Sequence, residues 1–162
     1  MKRLLTILTV VCLTANAYSQ TSPIAIGTTT KNPNKMKLNA GIITSKLAES
    51  KAFYTKTLGF GVTFENEFYL LLHTPNHEAE ISFLLPNHPS QLPYYHNPFQ
   101  GKGIYFTIEV DNVDAVYDEM KKKRVEIKVD IRNEFWGDRH FSIEDPNGVI
   151  IDFIKYTPPQ GK

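Results

Sequence analysis

One succession of elements is written twice in this chain, and that duplication is what most narrows its fold. From Leu38 to Ile43 the residues read as a strand. Apolar residues at helical spacing follow between Ala48 and Thr57, namely Ala48, Ala52 and Phe53, with Ser45 as the expected cap. Gly59 and Gly61 stop that helix. Three strand-like runs come next: one from Val62, one from Phe68 to His73 and one from Glu80 to Leu85. At Ile104 the order restarts. A strand to Val110 leads into a helix from Asn112 to Lys123, with Val113, Val116, Tyr117 and Met120 on one face. Strands are then expected at Val125–Val129, His140–Glu144 and Val149–Ile154. Thr44-Ser45-Lys46-Leu47 falls on Val110-Asp111-Asn112-Val113, and Ser82 falls on Asp152, with a few inserted residues between. The pattern is an internal repeat. It predicts an α+β fold of two βαβββ modules, about 37–85 and 104–156, forming a mixed, curved sheet with helices on one face and a cup on the other.

Between the modules lies PNHPSQLPYYHNPFQGKG, residues 86–103, with four prolines and two glycines. That density predicts no regular element. Structureless connections of this length are uncommon in compact domains. Tyr94-Tyr95-His96 within it reads either as a lid or as packing at a junction.

The chain opens differently. Met1-Lys2-Arg3 is basic, Leu4 to Leu13 is apolar, and Ala15-Asn16-Ala17 supplies small residues. Residues 1–17 therefore read as a cleaved signal peptide, which places the mature protein in the periplasm or outside the cell. The apolar run is too short for a membrane span, so no membrane association is expected after cleavage. A leader preceding a cytoplasmic start at Met36 is the alternative. Residues 18–36, rich in Ser, Thr, Asn and Pro, read as a flexible tether. The domain proper is 37–157, and 158–162 is a tail.

Charge and cysteine content exclude several chemistries. Eighteen basic residues face seventeen acidic ones, and the excess disappears with Lys2 and Arg3. The one dense basic cluster, Lys121-Lys122-Lys123-Arg124, reads as a solvated helix end, so no nucleic-acid partner is expected. Cys12 is the only cysteine and lies in the signal. The mature chain thus has no thiolate nucleophile, disulfide or cysteine-ligated metal.

Three segments carry a family likeness: SKAFYTKTLGF at 50–60, Val110-Asp111-Asn112-Val113, and EDPNGVIIDF at 144–153. Over roughly 37–156 the chain resembles the vicinal oxygen chelate superfamily, which holds glyoxalase, extradiol dioxygenases and the fosfomycin- and bleomycin-resistance proteins. The resemblance implies paired βαβββ modules, a homodimer and a ligand cup in each module pair. In the family's enzymes four strand positions, drawn from His, Glu and Gln, hold a metal. The matching positions here are Asn39, Ser82, Tyr105 and Asp152. Only Asp152 offers an anionic ligand, which is too little for Zn, Ni or Fe. No cofactor is therefore expected. The bleomycin-resistance type also lacks the metal set, and it binds its ligand without turnover.

The site residues follow from strand parity and from that likeness. Phe141 and Ile143 share one parity and face the helices, so His140 and Ser142 face the cup with Asp152. A hydrogen-bonded His140–Asp152 pair serves as a general base, as a polar anchor or simply as a satisfied pair on a wet sheet. Trp136 in Phe135-Trp136-Gly137 is the only tryptophan and reads as a stacking platform. The resemblance strengthens this, since Trp-Gly lines the drug cleft of bleomycin-resistance proteins. The expected ligand-binding set is Trp136, Tyr105, His140, Ser142, Asp152, Asn39 and Ser82, for a small molecule. The other reading is a glyoxalase-like lyase or isomerase with His140 as acid or base.

Overall fold

Each half of the described chain folds in the order the repeat predicts. The computed structural model describes residues 37–157. The signal reading (1–17), the tether (18–36) and the tail (158–162) lie outside them. The first module holds β1 (Ala40–Ile43), α1 (Leu47–Ala52), β2 (Gly61–Glu65), β3 (Tyr69–His73) and β4 (Glu80–Leu84). The second holds β5 (Tyr105–Glu109), α2 (Val113–Lys122), β6 (Ile127–Asn133), β7 (Asp138–Glu144) and β8 (Ile150–Tyr156). Each module makes its own four-stranded sheet, ordered β1-β4-β3-β2 and β5-β8-β7-β6. In each, the first strand runs parallel to the last and the other pairs are antiparallel.

Strand alternation sorts the residues as hydrophobic burial demands. Leu70, Leu72, Ile81 and Phe83 are buried from the first sheet, and Phe141, Ile143, Ile151 and Phe153 from the second. They join Tyr54, Val113 and Met120 in one core that runs through both modules. α2 starts at Asn112, whose Oδ1 accepts the Ala115 amide at 3.0 Å. α1 departs from expectation. Ser45 does not cap it; Lys46 holds the cap position without a side-chain bond. After Ala52 the helix widens into a π-helical turn over Phe53–Thr57. The widening turns Tyr54 into the core, edge-on to Phe60. The connection 86–103 also differs, since Pro93–Tyr95 forms a short 3-10 turn with Pro at its start.

The turn Asp145-Pro146-Asn147-Gly148 is more than a chain reversal. Asp145 is buried, and its Oδ1 accepts the amides of Asn147 at 2.8 Å and Val149 at 2.9 Å. Its Oδ2 accepts the hydroxyl of Tyr54 from the other module at 3.2 Å. Asn147 Nδ2 also donates to Ser50 Oγ at 3.0 Å. Burial first, then the neighbouring Asp145 charge and hydrogen bond, push the Tyr54 phenol well above its ordinary range, so it is a permanent donor. Tyr54→Phe should cost about 1 kcal/mol in urea unfolding, the net value of one such bond. Asp145→Ala strands three donors and should cost about 3 kcal/mol or more. Equal losses in the two variants would show that the turn's own bonds contribute nothing.

Candidate functional site

The face of each sheet opposite the core forms a cup, and the two cups differ in chemistry. In the first, Gly41, Ser82, Leu71 and Phe64 lie in one row across the strands, and Ile43, Leu84 and Tyr69 in the next. A cavity of about 500 Å³ opens over them. Gly41 and Ser82 form a low floor: a Cβ on Gly41 would stand 3.1 Å from Ser82 Oγ. Phe64, Phe68 and Tyr69 form one wall, and Gln91 and Tyr95 reach in from the connection between the modules. Among the described residues, none from the second module lines this cavity.

The second cup carries a charged network. Ser142, Asp152 and Thr107 form its central row, with His140 and Ile154 in the next. Ser142 Oγ donates to Asp152 Oδ1 at 2.7 Å, and His140 Nδ1 meets the same oxygen at 2.9 Å. His140 Nε2 faces Glu134 Oε1 at 3.2 Å, and that oxygen also accepts Arg132 Nε at 2.6 Å. An imidazolium satisfies both carboxylates at once. Burial alone would lower the His140 pKa. The hydrogen bonds to Asp152 and Glu134 outweigh it and raise the group above its ordinary 6.5. The Arg132 hydrogen bond, helped by His140, holds Glu134 below the usual carboxylate range despite burial. With both nitrogens engaged, His140 has the geometry of a fixed cation rather than of a proton acceptor.

The remaining expected residues are spread over this framework. Trp136 stands in the β6–β7 turn, about half exposed, with Nε1 donating to Asp138 Oδ2 at 2.8 Å. Gly137, at φ 114°, fixes that turn, because a Cβ there would meet the Thr157 carbonyl oxygen at 2.3 Å. Tyr105 shares the Asp152 face but sits on the outer strand, 67% exposed. Asn39 is exposed just before β1 and lies outside the cavity lining. Ser82 is on the cavity floor, where its hydroxyl donates to the Ala40 carbonyl at 3.3 Å. The sequence reading did not single out Gly41, Phe64, Tyr69 or Gln91 as site residues, nor Glu134 and Arg132. Shared parity with Ser82 was the available signal for Gly41, Leu84 and Tyr69.

The four positions that hold metal in the resembled enzymes do not fit one here. Ser82 offers a hydroxyl that donates to the Ala40 carbonyl, Asn39 and Tyr105 are exposed, and the set contains no imidazole. Asp152 spends Oδ1 on two donors. Among the described residues no group of three His, Cys, Asp or Glu side chains is placed to hold a metal ion.

The His140 network predicts a pH response with a definite sign. A raised folded-state pKa adds stability that is complete below the unfolded value and is lost as pH rises through the folded one. The His140 ring resonances should therefore titrate above 6.5. The melting temperature should fall as pH rises past 6.5 and through the raised folded-state value, and His140→Gln should flatten that fall. A ring titrating below its ordinary value would contradict the network.

Comparison with known proteins places this geometry. The family model of the Glyoxalase/Bleomycin resistance protein/Dioxygenase superfamily matches residues 38–153. Among solved structures, a glyoxalase/bleomycin resistance protein/dioxygenase from Nocardioides shares 14% identity, covering 80% of this chain and 91% of that one at a TM-score of 0.64. TnmS3, an antibiotic-binding protein from Streptomyces sp. CB03234, shares 19%, covering 77% and 98% at 0.61. A bleomycin-binding protein solved with bleomycin shares 18%, covering 76% and 100% at 0.56. At such identities the likeness is one of fold. Among curated proteins, none matches the chain.

Proposed function

Because the chain belongs to the Glyoxalase/Bleomycin resistance protein/Dioxygenase superfamily, we propose that it binds a small molecule in its cups without a metal and without turning it over. The observation that carries this reading is the cavity of about 500 Å³ over the first sheet, walled by aromatic rings. That size, and an apolar wall with a few polar anchors, is the usual make-up of a small-molecule site. Structural neighbours whose proteins bind bleomycin and another antibiotic support it at the level of the family. The donor set argues against metal chemistry, and the pinned His140 argues against acid–base turnover.

The protein acts as a homodimer in this reading. A second copy's second module closes the open mouth of the first-module cavity. Trp136 and the Asp152 network then meet the ligand from above, with Tyr105 at the rim and Asn39 at the edge. Asp152 Oδ2, free of the bonds on Oδ1, accepts a ligand hydroxyl. The N-terminal signal reading adds export to the periplasm or beyond.

Calorimetry and thermal shift against bleomycin and an antibiotic panel test binding. At least one compound should raise the melting temperature by mass action. Trp136→Ala should weaken that compound by about 1–3 kcal/mol. Equal affinity in the variant removes Trp136 from the site. Light scattering should return twice the mass of one chain. Elemental analysis should find no stoichiometric Zn, Ni, Mn or Fe; one equivalent of any of them refutes the metal-free reading.

A further inference from the structure

We propose that the ligand is an uncharged, planar ring system bearing keto or amide groups, and that the connection between the modules selects it. The inference rests on the binding function proposed above and deepens it. No side chain lining the first-module cavity is charged at neutral pH. A charged ligand entering it would lose water and gain no counter-ion from the lining. In the second cup the carboxylates already have partners, Glu134 in Arg132 and His140 and Asp152 Oδ1 in His140 and Ser142.

Shape and polar groups narrow the class further. The floor of Gly41 and Ser82 is low, and four rings, Phe64, Phe68, Tyr69 and Tyr95, line the space above it. Phe64 and Tyr95 each leave about half their surface exposed within a cup rather than in the core. Phe68 is held by His88, stacked at 4.0 Å and 17°. Rings held this way favour a flat partner over a puckered one. Asn66 Oδ1 is spent on the amides of Phe68 and Tyr69, at 3.0 and 2.8 Å, which leaves Nδ2 to donate to a ligand carbonyl.

The wall contributed by the connection is fixed. Phe99 N donates to the Ile43 carbonyl at 2.8 Å, tying the connection to β1. His96 Nε2 bonds the Gln91 carbonyl at 2.9 Å across the 3-10 turn that carries Tyr95. Gln91 and Tyr95 are thereby specificity determinants supplied by this chain's own insertion.

Four probes of one skeleton test the class by calorimetry on the full domain: 2-naphthamide, 2-naphthoate, 2-naphthylmethylammonium and the saturated decahydro-2-naphthamide. The neutral planar amide should bind about ten-fold or more tighter than the other three. Tyr95→Ala should weaken 2-naphthamide about ten-fold. Leu92→Ala, in the same connection but outside the lining, should leave it unchanged. A charged or saturated probe binding as tightly overturns the ligand class and leaves the binding function standing. Silence from all four overturns the class. Silence from the antibiotic panel as well overturns both.

Discussion

The buried carboxylate of Asp145 is the constraint on which the rest depends. It closes the turn between β7 and β8 through two amides and receives a hydroxyl from the first module. The turn fixes register, and register fixes faces. Ser142 stands opposite Asp152 and Phe141 opposite Phe153 only because the hairpin closes where it does. A slip of β8 by one residue would send Asp152 into the core and expose Ile151 and Phe153. The penalty for burying an unpaired carboxylate exceeds one hydrogen bond, so the turn and the site support each other.

The two modules use one scaffold for opposite purposes. Ser82 occupies the place in β4 that Asp152 holds in β8, and Gly41 the place that Thr107 holds in β5. Tyr69 likewise corresponds to His140, and Leu71 to Ser142. One cup is therefore lined by uncharged groups and rings, the other by ionisable groups hydrogen-bonded to one another. A cavity forms over the first because small floor residues meet tall walls. In the second, polar side chains bond one another across the surface.

Much of the fold could be read in the sequence because burial imposes a period of two on strands and of about 3.6 on helices. The repeat, the strand order and the facing of His140, Ser142 and Asp152 all follow from that, and the model brings His140 and Asp152 within hydrogen-bond distance. Glu134 and Arg132 escaped for a local reason. β6 runs on to Asn133 through two register shifts, and these set Arg132 opposite His140. No alternation pattern encodes a bulge. The burial of Asp145 was not legible either, since Asp-Pro-Asn-Gly turns are normally wet and only tertiary packing buries this one. The wall that the connection adds to the cup stayed open between a lid and junction packing for a similar reason. Gln91 and Tyr95 come from a stretch with no period, and their place depends on Phe99 reaching β1.

The same logic explains why the fold persists where its metal positions do not. Holding a transition metal needs several imidazoles and carboxylates converging on one point, so each replacement weakens the site steeply. A cup needs only parity, a low floor and tall walls, and these survive many substitutions. Ser82 and Tyr105 lie on strands and Asn39 just before one, and none of the three brings an imidazole or a carboxylate to a ligand sphere. Asp152, left alone, would be a poorly solvated charge on that face. Ser142 and His140 supply its donors, Glu134 answers the charge on His140, and Arg132 answers Glu134. The chain of compensation ends at the surface, where Arg132 is 60% exposed and water can complete it.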